Sequence, residues 1–155
     1  MTTVDVPWFI IQGSATTTVR VQRIVVTGLT LTAVAYLNIS LGKYSTNFTG
    51  GTSTLLTQTP TDSNSAAATL NAVRVFTAAP TAGTKVGDMA TRRPFGQSTT
   101  AAAAGIPEVV EFDFRNLGEQ SSIVLRGTTQ ELGLYWETAP ASSVSMHLEV
   151  EWTEE

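Results

Sequence analysis

The amino-acid sequence predicts an all-β protein, an antiparallel β-sandwich with a jelly-roll-like arrangement and little or no helix. Three observations predict it. Apolar and polar residues alternate with a period of two, turn-forming residues separate the alternating segments, and helix signals are nearly absent. Seven or eight short strands at such spacing are typical of sandwiches. Because the chain has no cysteine, it lacks the Cys–Trp–Cys signature of an immunoglobulin domain, and the jelly roll is favoured.

The clearest strand is the segment VSMHLEVEW near the carboxyl end. Its apolar residues share one face (Val144, Met146, Leu148, Val150 and Trp152), and its polar residues share the other (Ser145, His147, Glu149 and Glu151). This alternation predicts a half-buried strand with one solvated face.

The other strand candidates follow the same pattern less strictly. They cover residues 17–27, 31–41, 71–78, 108–114, 121–127 and 131–137. The predicted turns between strands include Thr27-Gly28, Leu41-Gly42 and Gly50-Gly51. The alanine run at 101–104 allows at most one short turn of helix.

Length and composition indicate one ordered domain over residues 1–155. A chain of this size can bury a core without disulfides or metals. Charged residues make up 14% of the chain, against about 25% in ordinary globular domains. Thr, Ser, Ala and Gly take their place, which suits strands and surfaces that lose their water to a neighbour.

The charge pattern excludes several classes of partner. A net charge of −4 without a basic stripe argues against nucleic-acid binding. No apolar stretch approaches the roughly 18 residues of a membrane span, and the first residues lack the basic region of a signal peptide. All residues charged at neutral pH after Arg126 are acidic, which predicts an acidic face at the carboxyl end. Such a face either meets a basic partner or aids solubility, and solubility is favoured.

Two long stretches carry almost no charge, and both are predicted to be contact loops. Residues 44–73 contain only Asp62, and residues 94–107 contain no charged side chain. Small polar residues lose little side-chain entropy when a neighbour immobilises them. Gly50-Gly51 is the predicted hinge of the first loop. The predicted apolar anchors of the two loops are Phe48, Leu55, Leu56 and Phe95.

The apolar run near the amino end has two interpretations. Trp8, Phe9 and Ile10 form either the first core strand or part of an N-terminal arm, residues 1–13, that lies against a neighbouring subunit. Both interpretations bury Trp8. Under the second, the three residues belong to a subunit or capsid interface.

No catalytic, cofactor-binding or metal-binding constellation appears. The single histidine, His147, lies on the polar face of the last predicted strand, where an exposed structural residue is expected. The carboxylate pairs Glu111/Asp113 and Glu149/Glu151 have the i, i+2 spacing that is routine on solvated strands. Asp62 lacks the glycine and glutamate of a calcium loop, and we expect an Asx-turn there.

The tripeptide LYW followed by a glutamate offers an alternative function. Tyr135, Trp136 and Glu137 combine aromatic rings with a carboxylate, as sugar-binding sites do. Packing of a half-buried strand explains the same residues and is favoured.

The sequence resembles a family of small virion proteins of tailed bacteriophages that are found with the head genes. The resemblance runs through PWFIIQGSATTTVRVQRIVVTG, GGTSTLLTQTPTDSNSAAATLNAVRVFTAAPTAG, SSIVLRG and LEVEWTEE, which together cover most of the chain. It rests on overall texture and carries no catalytic motif.

The resemblance implies a capsid decoration, or cement, protein. Such proteins are β-rich, often trimeric, and sit on the outer surface of the phage head, so the implied partners are other copies of the chain and the major capsid protein. It implies no enzyme activity and no cofactor. We therefore expect a virion structural protein made in the host cytoplasm, and the alternative is a tail- or fibre-associated glycan-binding module.

Overall fold

The computed structural model describes residues 2–69, 73–99, 108–115 and 122–155. They form twelve strands and no α-helix. In chain order the strands are β1 (Phe9–Gln12), β2 (Val19–Leu31), β3 (Ala35–Tyr36), β4 (Ile39–Tyr44), β5 (Thr52–Leu55), β6 (Val73–Ala78), β7 (Lys85–Arg92), β8 (Phe95–Ser98), β9 (Val110–Asp113), β10 (Ile123–Leu125), β11 (Glu131–Trp136) and β12 (Ser145–Glu154).

The strands form two sheets that pack as a sandwich. Sheet I has the order β5-β6-β1-β11-β4-β7, and all its pairings are antiparallel. Sheet II is built on the long strand β2, with β12 along one edge and β10, β9 and β8 in succession along the other. The β2–β8 pairing is parallel, and β3 extends the sheet beyond β8. The predicted all-β sandwich is confirmed, whereas the jelly-roll topology stays a prediction.

The core lies between the two sheets and draws on alternate residues of their strands. Phe9 and Ile11 of β1, and Leu132 and Leu134 of β11, enter the same cluster as the inward residues of β2. Trp8 stacks on Trp136 with ring centroids 5.3 Å apart. The core therefore joins alternate residues of the central strands of both sheets.

The predicted turn at Thr27-Gly28 is wrong, because β2 continues through it to Leu31. Gly28 has a positive φ of 65° and lies where the register between β2 and β12 shifts. Ser145 pairs with Thr30 and His147 pairs with Thr27, so β2 has one more residue than β12 between these pairs. Glycine here forms a β-bulge within a strand, and not a chain reversal.

The predicted turn at Leu41-Gly42 is also wrong, and the predicted strand 31–41 is interrupted. Leu31 ends β2, and β3 and β4 follow after short breaks. Gly42 lies inside β4, where a Cβ atom would come within 3.1 Å of the Tyr44 ring. Close aromatic packing therefore explains this glycine.

A long antiparallel ribbon connects the sheets along one side of the sandwich. One of its two halves consists of β3 followed by β4, and the other consists of β7 followed by β8. Strands β3 and β4 pair with β8 and β7 in one register, from Ala35↔Gly96 to Leu41↔Ala90. Leu37 donates its backbone N–H to the carbonyl of Pro94 at 2.9 Å, which continues the pairing through the bend between sheets. We call β3, β4, β7 and β8 the ribbon.

Candidate interaction surfaces

The exposed large apolar side chains concentrate on the ribbon. Eight such residues occur in the described part of the chain. Six of them lie on the ribbon or directly beside it: Val34, Tyr36, Val86, Met89, Phe95 and Val109. We call these six residues the ribbon surface. Scattered apolar residues are normal on a protein surface, but a concentration of them marks an interaction site.

An aromatic pair stands at the bend of the ribbon. Tyr36 and Phe95 are directly opposite in the β3–β8 pairing, and their rings meet edge to face with centroids 5.3 Å apart. Tyr36 is 64% exposed, although its ring is held on both sides. The Arg93 guanidinium lies 4.9 Å from the centre of the Tyr36 ring. Rigid aromatic and arginine side chains of this kind carry much of the binding energy in protein interfaces.

A shallow pocket of about 250 Å³ adjoins this pair, and Arg92, Arg93, Glu108 and Val109 contribute to its wall. The Glu108 carboxylate accepts a hydrogen bond from the Phe95 backbone N–H at 2.5 Å. Neither arginine forms an ion pair with a carboxylate in the described part of the chain. The pocket therefore presents guanidinium groups beside apolar surface.

Two β-bulges place apolar residues on the outer strand of the ribbon. Ala90 and Asp88 pair with the consecutive residues Leu41 and Gly42, which leaves Met89 without an opposite residue. In the same way, Val86 falls between Gly87 and Lys85, whose partners are also consecutive. Met89 is 48% exposed and Val86 is 66% exposed. Bulges redirect side chains and interrupt edge pairing, so these two residues are displayed by the backbone itself.

The N-terminal interface residues lie elsewhere than the arm interpretation requires. Trp8, Phe9 and Ile10 are at most 4% exposed within the single chain. Strand β1 lies between β6 and β11 in the middle of sheet I, with hydrogen-bonded neighbours on both sides. The run is therefore a core strand, and the interpretation that places Trp8, Phe9 and Ile10 in an arm (residues 1–13) against a neighbouring subunit is wrong.

The uncharged stretch 44–73 divides into a packed part and an exposed part. Phe48 is half-buried, with its ring 4.5 Å from that of Tyr44. Leu56 packs against the core, whereas Leu55 at the end of β5 is 56% exposed. Gly50 and Gly51 both have positive φ angles, as a turn there requires. Of the predicted anchors in this stretch, Leu55 is the one displayed to solvent.

The second predicted contact loop, 94–107, is described as far as Thr99. Phe95 lies in β8 and is 38% exposed, as part of the ribbon surface. The remaining residues of that loop, including the alanine run at 101–104, lie outside the described residues.

The residues predicted for glycan binding do not form an accessible site. Tyr135 is 1% exposed and Trp136 is 0% exposed. The Tyr135 hydroxyl donates to Asp88 at 2.5 Å and accepts from Lys85 at 2.6 Å, so its polar atom is occupied. Glu137 is exposed but accepts a hydrogen bond from Ser40 at 2.5 Å. The packing interpretation of these aromatic residues is confirmed.

The predicted carboxylate pairs meet on the outer face of sheet II. Arg23 of β2 lies between them, with Glu111 at 2.5 Å, Glu151 at 3.1 Å and Glu149 at 3.5 Å. Arg115 bonds Asp113 at 2.9 Å and holds the pKa of that carboxyl at about 2 through these hydrogen bonds. The acidic residues are thus neutralised by arginines across the strands, as on a solvated sheet face.

One carboxyl group is buried, and sequence reasoning did not single it out. Glu131 is 2% exposed at the start of β11, where its Oε2 accepts the backbone N–H of Phe48 at 2.8 Å. Burial raises the pKa of Glu131 to about 7, although that hydrogen bond and the charge of Arg74 act in the opposite direction. It ties the 45–51 segment to the outer face of sheet I.

The other singled-out polar residues have structural roles. His147 is exposed on β12, as expected. Asp62 forms the predicted Asx-turn, in which its Oδ1 accepts the backbone N–H of Asn64 at 2.9 Å. Within the described ranges, no cluster of three or more His, Cys, Asp or Glu residues is arranged to hold a metal ion. No helix in those ranges is long and apolar enough to cross a membrane.

Comparisons with protein-family models, with curated proteins and with solved structures give no match for this chain. Most of the ribbon surface was missed from the sequence, because Tyr36, Val86, Met89 and Val109 do not stand out in a pattern search. A signal was present in KVGDMATR, where two apolar residues three apart lie among small and charged residues. That spacing does not fit the period of two of a regular strand, and bulges produce it.

Proposed function

We propose that the chain is a non-enzymatic virion structural protein, a capsid decoration protein that forms homo-oligomers and binds the outer surface of a tailed-phage head. The observation that carries this proposal is the ribbon surface, a concentration of displayed apolar residues beside Arg92 and Arg93, which form no ion pair in the described part of the chain. In the described residues, Glu111, Asp113 and Tyr135 are engaged in ion pairs or hydrogen bonds within the fold. Because these polar groups are already engaged within the fold, we favour a binding protein over an enzyme.

The proposed role fits the physical design of the chain. A decoration protein stabilises a head because it binds the assembled lattice and not the separate subunits, so binding shifts the equilibrium by mass action. It needs a framework that keeps its shape, together with contact surfaces that lose little entropy on binding. The proposed partners are other copies of this chain, in a trimer, and the major capsid protein. The proposed location is the virion surface, after synthesis in the host cytoplasm.

Two surfaces are candidates for these contacts, and one pair of variants separates them. Met89 belongs to the ribbon surface, and Leu55 lies on β5 at the opposite edge of sheet I. The changes Met89→Glu and Leu55→Glu each place a charge at an exposed apolar position. Val4→Glu does the same away from both surfaces and serves as the matched control.

The test uses phage heads assembled without the protein. We expect Met89→Glu to weaken head binding roughly tenfold or more, as loss of an interface anchor does, while its unfolding free energy stays close to that of the unmodified chain. If Leu55→Glu instead lowers the oligomer mass in light scattering, β5 is the subunit contact. Binding is followed by sedimentation of the heads with bound protein.

Two outcomes contradict the proposal. In the first, the unmodified chain is a strict monomer that does not sediment with heads. In the second, all three variants bind and assemble like the unmodified chain. A monomer that binds glycans on an array would support the tail-associated module instead, at a site other than Tyr135 and Trp136.

A further inference from the structure

The free edges of the two sheets differ in length and regularity. Edge strand β5 has four residues, and β3 has two. Edge strand β7 has eight residues but is interrupted by the bulges at Val86 and Met89. Short length and bulges are the usual protections of an edge against unwanted strand pairing. Strands β9 and β10, which pair with β2 alone in the described residues, are equally short, with four and three residues. These edges are therefore protected in recognised ways.

Strand β12 is the exception. It has ten residues and lies at the edge of sheet II, with β2 as its partner in the described part of the chain. The register shifts in this pairing add residues to β2, at Gly28–Leu29 and at Gln22, so β12 itself is uninterrupted. No described residue makes a backbone–backbone hydrogen bond to its outer edge. A long, regular, unpaired edge is a template for an additional strand.

The inner face of β12 is incompletely covered. Met146, Leu148, Val150 and Trp152 pack against the core but remain partly exposed. A strand added to the outer edge would cover these side chains with its own inward residues. The apolar side chains that remain partly exposed on β12 are thus ones that a strand added at its outer edge would bury.

A groove of about 410 Å³ runs beside this face. Its wall includes Val144, Met146 and Leu148 from the β12 side and Trp8 and Phe76 from sheet I. An added strand with apolar side chains at alternate positions would fill the groove.

The outer face of β12 indicates which strand would fit. A second copy of β12 in antiparallel pairing, centred on Val150, would place Glu149 of each copy opposite Glu151 of the other. Like charges opposite each other destabilise a sheet. The Glu149 side chain is 64% exposed and 3.5 Å from its nearest cation, Arg23, so it can accept a further cation. A strand with basic or uncharged residues at its outward positions is favoured.

We propose that the outer edge of β12 binds an extended segment of another polypeptide by β-strand addition. The segment has apolar residues at alternate positions, which enter the groove beside Trp8 and Met146. It has Lys, Arg or uncharged residues at the positions beside Glu149 and Glu151. This site is separate from the ribbon surface and does not depend on the function proposed above.

The test uses a ten-residue peptide that alternates valine with lysine and threonine. Amide hydrogen exchange of the full chain is measured by NMR with and without the peptide. We expect the peptide at saturation to lower the exchange rates of the outward-pointing amides of residues 145–154 by a factor of about ten or more. A peptide with glutamate in place of lysine is expected to give weaker protection, because it faces Glu149 and Glu151.

Backbone methylation makes the test specific for strand addition. One edge of a bound strand hydrogen-bonds to β12 and the other faces solvent. Methylating the amide nitrogens of one edge should abolish protection, and methylating those of the other edge should preserve it. Equal binding of both methylated peptides would overturn the proposal, since side chains alone would then explain binding.

A pair of protein variants tests the groove. Met146→Lys introduces a charge into the groove wall and should weaken the peptide at least several-fold, whereas His147→Lys on the solvent face should not. Unfolding curves check that both variants are folded. The proposal fails if no peptide protects β12, or if protection appears at β5 or β7 instead. Concentration-dependent protection of β12 without peptide would assign the edge to a second copy and overturn the proposed occupant.

Discussion

The two sheets differ in how they treat the surface that faces away from the core. Sheet I buries this face around β4 and β11: Ser40, Tyr44, Glu131 and Tyr135 are each at most 2% exposed. Sheet II leaves it to solvent and covers it with arginine–carboxylate pairs around Arg23. Burial costs sheet I the hydration of polar groups, whereas the charged face of sheet II keeps its water.

The edge strands of the two sheets also differ, both in regularity and in the polarity of their side chains. Edge strand β7 of sheet I is bulged and displays apolar residues, and edge strand β12 of sheet II is regular and acidic. Bulges prevent a neighbour from pairing with the backbone, so β7 offers side chains to a partner. The regular edge of β12 offers backbone groups. The two proposed contact surfaces would therefore differ in their mode of recognition.

The largest predicted effect is at the buried carboxyl of sheet I. The folded-state pKa of Glu131 is about 7, above its ordinary value of 4.5. The folded state therefore binds more protons than the unfolded state between these pH values, and its stability falls as pH rises through about 7. Glu131→Gln removes the charge but keeps an oxygen for the Phe48 N–H. We expect the variant to be more stable than the unmodified chain by up to about 3 kcal/mol at pH 8, with little difference near pH 4.5.

Urea unfolding across this pH range measures the difference. Glu137→Gln, which changes an exposed carboxylate just beyond the same strand, is the matched control and should keep the pH dependence of the unmodified chain. If Glu131→Gln leaves the pH profile unchanged, the carboxyl is hydrated and sheet I is not dry at this position.

The second prediction concerns the two strands that carry the bulges. Gly28 has a φ of 65°, which disfavours any side chain, and its bulge keeps β12 regular. Gly28→Val should cost about 2 kcal/mol, since a β-branched residue is strained in that conformation. Gly87→Val is the matched control on β7: a Cβ atom there meets nothing within 4 Å, and the change should stay within about 0.5 kcal/mol.

Chemical denaturation of the two variants decides this point. Equal losses would mean that Gly28 has no special backbone role. Exchange of the β12 amides in Gly28→Val adds a second readout, because a β2 strand without its bulge would shift the pairing of Ser145 and Met146.

The sequence predicted those parts of the fold in which one face of a strand meets water. Strand β12 alternates strictly because Glu149 and Glu151 face solvent, and it was predicted nearly to its ends. Strand β7 was missed, because the extra residues Val86 and Met89 break the period of two. The residue type does not reveal whether Gly28 ends a strand or forms a β-bulge within it, because a turn and a bulge both require a positive φ angle.

The candidate surfaces were less predictable than the fold for a related reason. Apolarity marks a residue for burial but does not say whether the chain itself or a partner buries it. Trp8 and Phe95 gave the same signal, and the structure places the first in the core and the second at an exposed bend. Their difference comes from strand order: β1 has neighbours on both sides, while the β3–β8 pair lies at the end of sheet II.

The smallest predicted effect is on the charged face of sheet II. Arg23→Met removes the cation that Glu111, Glu149 and Glu151 share. Stability should fall by less than for Gly28→Val, because the pairs are exposed and Arg115 still reaches Glu151 at 3.1 Å. The loss should shrink as salt screens the remaining carboxylates, which measurements of the melting temperature at low and high ionic strength would detect.

Arg20→Met, which removes a cation paired with Glu155 alone, is the matched control and should have less effect. A loss that does not depend on salt would mean that the Arg23 stem contributes by packing, and the contrast between a charged and a dry outer face would then be weaker than the ion pairs suggest.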